Sequence, residues 1–252
     1  TYSNGNGATT KVNNGIDLAG KGGLVWIKSR ADATGHVLYD TERGLGAIGS
    51  HGTHAAQTGS SDLLGSYTST GFVTADNTTT NQAFTSTDAI NKFVSWTFRK
   101  KSGFFDCLTY TGNQSIRTIS HGLDSPVGML ICKRTDADGE WYVQHKDVAP
   151  NKELALQSIN ALPSSTTNST FNNTAATSSV FTLGSGGGTN ATGGTYVAYL
   201  FADNSSEDAE DQMIKCGSYT GTAADLSINL GWEPQFLLIK NATSAADWYM
   251  VD

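Results

Sequence analysis

Apolar and polar positions along the chain follow a pattern that recurs. Each occurrence opens with a Tyr ahead of a Gly- or Asn-rich turn: TYSNGNG from Thr1, TYTGNQS from Thr109 and SYTGTAA from Ser218. A short segment with one apolar anchor follows (Ile16, Ile119, Ile228), then a loop containing Gly or Pro. Next comes a strongly apolar run ending in lysine: LVWIK at 24–28, MLICK at 129–133 and FLLIK at 236–240. Runs apolar at consecutive positions predict central strands covered on both faces. The closing lysine is expected just outside the core, its stem packed along it. A polar loop (SRADATG, RTDADGE, NATSAAD) then leads into an alternating strand: HVLYD, WYVQH and WYMVD. Strand, polar turn and strand together predict a hairpin.

Tyr2, Tyr110 and Tyr219 are spaced 108 and 109 residues apart, and Phe72 and Phe181 are again 109 apart. A fixed period of this kind marks repeated structural units. The second half of each unit varies more, with Leu154 and Leu156 placed to share one strand face. It ends on an aromatic strand, FVSWTF at 93–98 and YVAYLF at 196–201. Charged connectors follow at 99–107 and 202–216, and the acid run of the second predicts a mobile link. The segments ADLSI and SEDAEDQMI are the places where a turn or two of helix is worth looking for. The pattern predicts an all-β fold of tandem β-sandwich-like repeats of about 105–110 residues, the third truncated. The expected units are 1–103, 104–211 and 212–252, the last being the start of a third repeat. Whether each unit closes its own sheets or completes its neighbour's stays open.

Composition narrows the function classes. Charged residues make up 15% of the chain and Gly numbers 28, the usage of a turn-rich β protein. A net charge of −7 argues against nucleic acid and against docking on an anionic membrane, and no apolar run reaches spanning length. The start at Thr1 and the stop inside a third unit lead us to expect a fragment of a longer chain. Cys107 and Cys216 occupy equivalent positions in successive units and Cys132 lies in an apolar strand, so all three read as small hydrophobes. Asn-x-Ser/Thr triplets such as Asn168 and Asn241 are expected by chance in a chain this rich in those residues.

Candidate chemistry is sparse. Asp136, Asp138 and Glu140 in TDADGE have the flavour of a calcium loop, but the equivalent loops lack the carboxylates, and a solvated turn is the better reading. His51 and His54 in SHGTH lack the Glu of a helical zinc motif and read as polar loop residues, so no metal and no cofactor is expected. Asp40, Glu42, Asp62, Asp76 and Asp88 are scattered, without the pairing that glycoside cleavage needs. GSGGGTNATGG at 184–194 leads into no helix and reads as a loose surface loop. Aromatic rings able to stack on sugars are the remaining ligand candidates: Trp232 in a loop, and Trp141 and Trp248, whose shared repeat position points to packing instead. Any ligand specificity is expected in the non-repeating loops 44–70 and 157–175.

The recurring package GFFDCLTYTGN (103–113), ISHGLDSPVGMLICKRTDADGEWYVQHKD (119–147), FNNTAATSSVFTLGS (171–185), NATGGTYVAYLFA (190–202) and IKCGSYTGT (214–222) resembles a β-rich repeat domain of tailed-bacteriophage virion proteins. The likeness is to tail-fibre-like proteins of aquatic and cyanobacterial phages. It implies a virion or extracellular location, other virion proteins as partners, attachment to a host-surface glycan, and no enzyme activity. Fibres are commonly symmetric oligomers, so a homo-oligomer, a trimer first, is expected. That reading predicts an elongated arrangement of repeats. Two alternatives stand beside it: a capsid-surface fibre or decoration protein, and a glycan-binding or glycan-cleaving depolymerase module. A bacterial surface adhesin built on the same modules is a further option.

Overall fold

The computed structural model describes residues 2–3, 9–30, 33–58, 64–74, 92–204 and 212–252. The fold is all-β, with antiparallel pairing throughout. The first unit contains β1 (Tyr2–Ser3), β2 (Lys11–Asn13), β3 (Gly23–Ser29), β4 (Val37–Asp40), β5 (Ile48–Gly49), β6 (Leu64–Thr68), β7 (Gly71–Thr74) and β8 (Lys92–Arg99). They form a five-stranded sheet in the order β1-β8-β3-β4-β5 and a three-stranded sheet β2-β7-β6. The second unit contains β9 (Phe105–Thr111), β10 (Arg117–Ser120), β11 (Val127–Arg134), β12 (Trp141–His145), β13 (Leu154–Ala155), β14 (Val180–Leu183) and β15 (Thr195–Ala202), with a single helical turn, α1 (Gly187–Asn190). Its five-stranded sheet runs β9-β15-β11-β12-β13 and its small sheet is β10-β14. The large sheets match strand for strand, and β10-β14 matches β2-β7, with no described counterpart of β6. A hairpin of β16 (Leu237–Lys240) and β17 (Trp248–Val251) follows, with Lys240 opposite Trp248 as Lys133 is opposite Trp141.

The doubly apolar strands explain how these sheets stack. In β3 the side chains alternate between faces. Val25 and Ile27 meet Phe72 and Leu64 of the small sheet, which closes the first sandwich. Leu24 and Trp26 point the other way. In β11, Leu130 and Cys132 meet Phe181 and Leu183 of the second small sheet, and Ile131 points away. The outward faces of the two large sheets meet each other: Leu24, Trp26, Leu38, Ile48 and Phe98 pack with Phe105, Ile131, Trp141, Val143, Tyr199 and Phe201. Phe236, Trp248 and Met250 of the hairpin join the same cluster, and the Phe236 ring lies 5.8 Å from Trp96 and 5.5 Å from Phe98. Leu154 and Leu156 both enter this core, as their spacing predicts. The described sheets are each built within one unit, and units join face to face.

That geometry corrects several expectations. The units do not string out end to end; three of them converge on one filled apolar core. The strand expected around Tyr219 is absent from 218–222. Its counterparts β1 and β9 pair with β8 and β15, and the described strands after β15 include no third equivalent. The register places Val12, opposite Phe72, where Ile119 stands opposite Phe181, so Val12 and not Ile16 is the repeated anchor. ADLSI forms no helix. Residues 205–211 of the second connector, with most of SEDAEDQMI, lie outside the described residues.

The Gly-rich loop 184–194 is packed, with Thr189 and Asn190 fully buried. Asn190 donates to Ser115 O and Gly184 O and accepts from Asn113 N, at 2.8–2.9 Å. Tyr110 donates to Thr189 O and stacks on Tyr196, which in turn donates to Gly187 O. The Gly of TYTGN is explained by the same loop: a Cβ on Gly112 would collide with Ala191 O. Tyr110 and its turn therefore latch the closing loop of their own unit.

Two substitutions separate these layers in urea denaturation. Phe98→Ala, which empties part of the shared core, is expected to cost about 3–5 kcal/mol. Asn190→Ala, which strands buried polar groups within one unit, is expected to cost about 1–3 kcal/mol.

Candidate functional site

The most organised set of polar contacts lies where one unit meets the next. The loop after β5 of the first unit is held by the β11–β12 hairpin of the second. Trp141 Nε1 donates to Gly49 O and Gly52 O, both at 3.1 Å. Lys133 Nζ donates to Thr53 O at 3.1 Å, and Gly139 N to the same oxygen at 2.8 Å. In return Ala56 N donates to Thr135 O at 2.9 Å. Lys133 is fully buried with its ammonium 5.9 Å from the Trp141 ring centre. This corrects its expected place outside the core.

The same joint recurs one unit later. Trp248 Nε1 donates to Ala155 O at 3.1 Å and Lys240 Nζ to Ile159 O at 2.9 Å. Ala246 N donates to Ile159 O at 2.9 Å, and Leu162 N to Ala242 O at 3.0 Å. Loop residues of the second joint lie 106 positions after their counterparts and hairpin residues 107. The two loops, GSHGTHAA and ALQSINAL, have little in common. They need not, because nearly every atom recognised in them belongs to the backbone. The loops 44–70 and 157–175, expected to hold ligand specificity, thus each lend part of their length to a joint. Residues 59–63 lie outside the described residues.

Behind the first joint sits a buried ionic cluster. Asp40 and Arg43 pair at 2.6 Å with almost no side-chain exposure. Tyr199 of the second unit donates to Asp40 at 2.7 Å, and Arg43 also donates to Gly46 O and Leu38 O. Burial and the Asp40 carboxylate hold the Tyr199 hydroxyl protonated well above its ordinary range. Lys100 bridges Glu42 at 2.9 Å and Asp106 at 3.2 Å. An open cleft of about 570 Å³ on the first unit is lined in part by Lys21, Glu42, Tyr67 and Lys100. Within it Lys100 is bonded to Glu42, and Tyr67 donates to Gly44 O.

The sugar-stacking candidates fare unequally. Trp141 is fully buried and Trp248 half-buried against the shared core, each with its N–H on a carbonyl. Trp141 has no ring face open to a sugar, and both rings take the packing role to which their shared repeat position pointed. Trp232 stays half-buried in the irregular stretch before β16. Asp136 is held by Arg134 in two 3.0 Å bonds and by Thr195 N, which keeps its carboxyl near 2, and Asp138 accepts from Ala55 N across the joint. TDADGE is therefore a joint-forming turn. His51 faces His36 O, and His54 is exposed. Among the described residues no group of three or more His, Cys, Asp or Glu side chains is placed to hold a metal ion. The cysteines are free thiols, and burial pushes Cys132 and Cys216 up to about 12, so they are poor nucleophiles at neutral pH. Asp62, Asp76 and Asp88 lie outside the described residues.

Sequence reasoning missed the joint because its accepting partners are main-chain atoms. One signal was present: a Lys and a Trp facing each other at the open end of two hairpins.

The joint has two measurable consequences. Arg43→Met leaves Asp40 buried without its cation and is expected to cost about 3–5 kcal/mol by chemical denaturation. Burial pushes the Lys133 ammonium down to about 8 from 10.5. Between those pH values the unfolded chain binds a proton that the folded chain has released, so this lysine's contribution to stability rises with pH. The buried thiols and phenols act in the opposite sense at alkaline pH. The difference in urea midpoint between the native chain and Lys133→Met is therefore the observable, and it is expected to widen in favour of lysine from pH 8 to 10.5.

No curated protein and no solved structure matches the chain at a significant level. One family description, a domain of unknown function designated DUF7483, matches residues 1–252. With two matching sandwiches and a third hairpin docked by a repeated joint, the chain belongs to the DUF7483 family.

Proposed function

We propose that this chain is a non-enzymatic structural and adhesion module of a tailed-phage virion, serving host attachment in the manner of a tail-fibre component. The observation that carries the reading is the use to which reactive side chains are put. Asp40, Arg43, Tyr199, Lys133, Asp136 and Asp138 all hold backbone or side-chain partners within or between units. The apolar sheet faces that could have walled a substrate pocket are packed against each other. The resemblance of the repeats to phage virion proteins supplies the biological setting. Convergence of the units on one core suits a compact knob better than an extended shaft. Its partners are other virion proteins, and a host-surface glycan in which Trp232 is the stacking ring. A homo-trimer would assemble through surfaces other than this core, since three units of one chain already meet there.

Mass spectrometry of purified particles, with immunogold imaging, tests the placement. The chain is expected in stoichiometric amount at the particle exterior, with antibody against it reducing adsorption. Its absence from purified particles defeats the virion reading. Release of new reducing ends from host-surface polysaccharide defeats the non-enzymatic one.

A further inference from the structure

The third unit is docked but not closed. In the first two units the first strand of the hairpin has a neighbour on each side: β3 lies between β4 and β8, and β11 between β12 and β15. Their counterpart β16 has β17 on one side, and among the described residues no main-chain group pairs with its other edge. What that edge presents follows from β11. Lys146 N donates to Gly128 O and Thr135 N to Thr195 O, so along β11 even-numbered positions bond β12 and odd-numbered ones bond β15. β16 pairs with β17 in the same register, Leu237 opposite Val251 as Leu130 is opposite Gln144. Leu238 and Lys240 therefore turn their N–H and C=O groups to the open side, as Ile131 and Lys133 turn theirs to β15. The sheet face beside this edge is bare as well: Tyr249 and Val251 are 58% and 50% exposed, opposite half-buried Ile239 and Leu237.

The segment that flanks the gap from the other side is already in place. In the second unit β9 pairs with the far edge of β15. Asp106 of β9, next to Cys107, is tied through Lys100 to Glu42 of the first unit. One period on, Cys216 N donates at 3.2 Å to Asp203, which stands two residues after Phe201 as Lys100 stands two after Phe98. The Cys216 thiol fills the space beside Gly128, where a Cβ would collide with it. The chain around Cys216 thus lies against the second unit as β9 lies against the first, and the β16–β17 hairpin lies against it as β11–β12 does. Between two such elements the second unit holds β15. Among the described residues nothing takes that place in the third, which is why the Tyr219 segment forms no strand: β1 and β9 are paired by β8 and β15.

We propose that the third unit is a strand acceptor, which takes one antiparallel strand of the β8 and β15 kind between β16 and the Tyr219 segment. The occupant is the closing strand of a further stretch of this repeat, eight residues long as β8 and β15 are, with apolar side chains on both faces. A second copy of this chain does not suit, because its β8 and β15 are already paired on both sides. Main-chain hydrogen bonds hold the added strand to the edge, and its side chains extend the bare face beside Leu237 and Ile239.

The test uses the chain 1–252 and the synthetic peptide GGTYVAYLFADN (193–204), with hydrogen exchange followed residue by residue by NMR. Saturable protection is expected at the Leu238 and Lys240 amides and across 216–219, where a strand forms. A peptide N-methylated at Val197 and Tyr199, the positions opposite Lys133 and Ile131 in the second unit, keeps every side chain and leaves the protein unaltered. It is expected to bind about thirtyfold more weakly, as loss of two main-chain hydrogen bonds implies. Absence of protection at either flank, equal binding of the methylated peptide, protection confined to β9 or β13, or dimerisation of the chain through β16 would each overturn the proposal.

Discussion

Everything in this fold depends on strands that bury both faces. A strand in a two-layer sandwich needs only one apolar face. In β3 and β11 every second residue closes the local sandwich, and the residues between close a second contact with another unit. A unit standing alone would expose Trp26, Leu24 and Phe98, or Ile131, Trp141 and Phe201, as a broad apolar patch. Patches of that kind are uncommon on monomers that remain soluble. Association of units is thus built into the composition of their central strands.

Apolar packing alone would let two sheets slide or rotate over each other. The joints supply direction. A buried ammonium and an indole N–H each find a carbonyl at a fixed place, and a misplaced partner would leave them unsatisfied in an apolar setting. The Asp40–Arg43–Tyr199 cluster works in the same way. Such groups add little net stability over apolar replacements and strongly penalise wrong registers. They are better understood as locating devices than as sources of affinity.

This arrangement also accounts for the scarcity of reactive constellations. Titratable groups at and around the joints are held by partners, and apart from Lys133, which burial brings down to about 8, their proton affinities are moved away from neutrality. Thiols and phenols are held protonated and Asp136 ionised. A catalytic site needs groups poised near the working pH and open to substrate. Lys133 comes near that range but is fully buried on backbone carbonyls, and the other joint groups meet neither condition, which is why structural and adhesive work is the reading we favour.

The sequence by itself determined the all-β character, the hairpins, their closing lysines and the period, because these rest on local alternation and turn chemistry. It also showed that the central strands are apolar on both sides. It did not show what covers the second side. That cover is another unit's equivalent face, and a contact between faces 105–107 residues apart leaves no local trace. The loops 49–56 and 155–162 looked variable and therefore specific to each unit. Tertiary structure gave them one shared task, invisible in side chains because main-chain carbonyls perform it. Trp141 and Trp248 show the same division. Their repeat position was legible along the chain, but whether those rings faced a sugar or a neighbour's backbone was decided only when the units met.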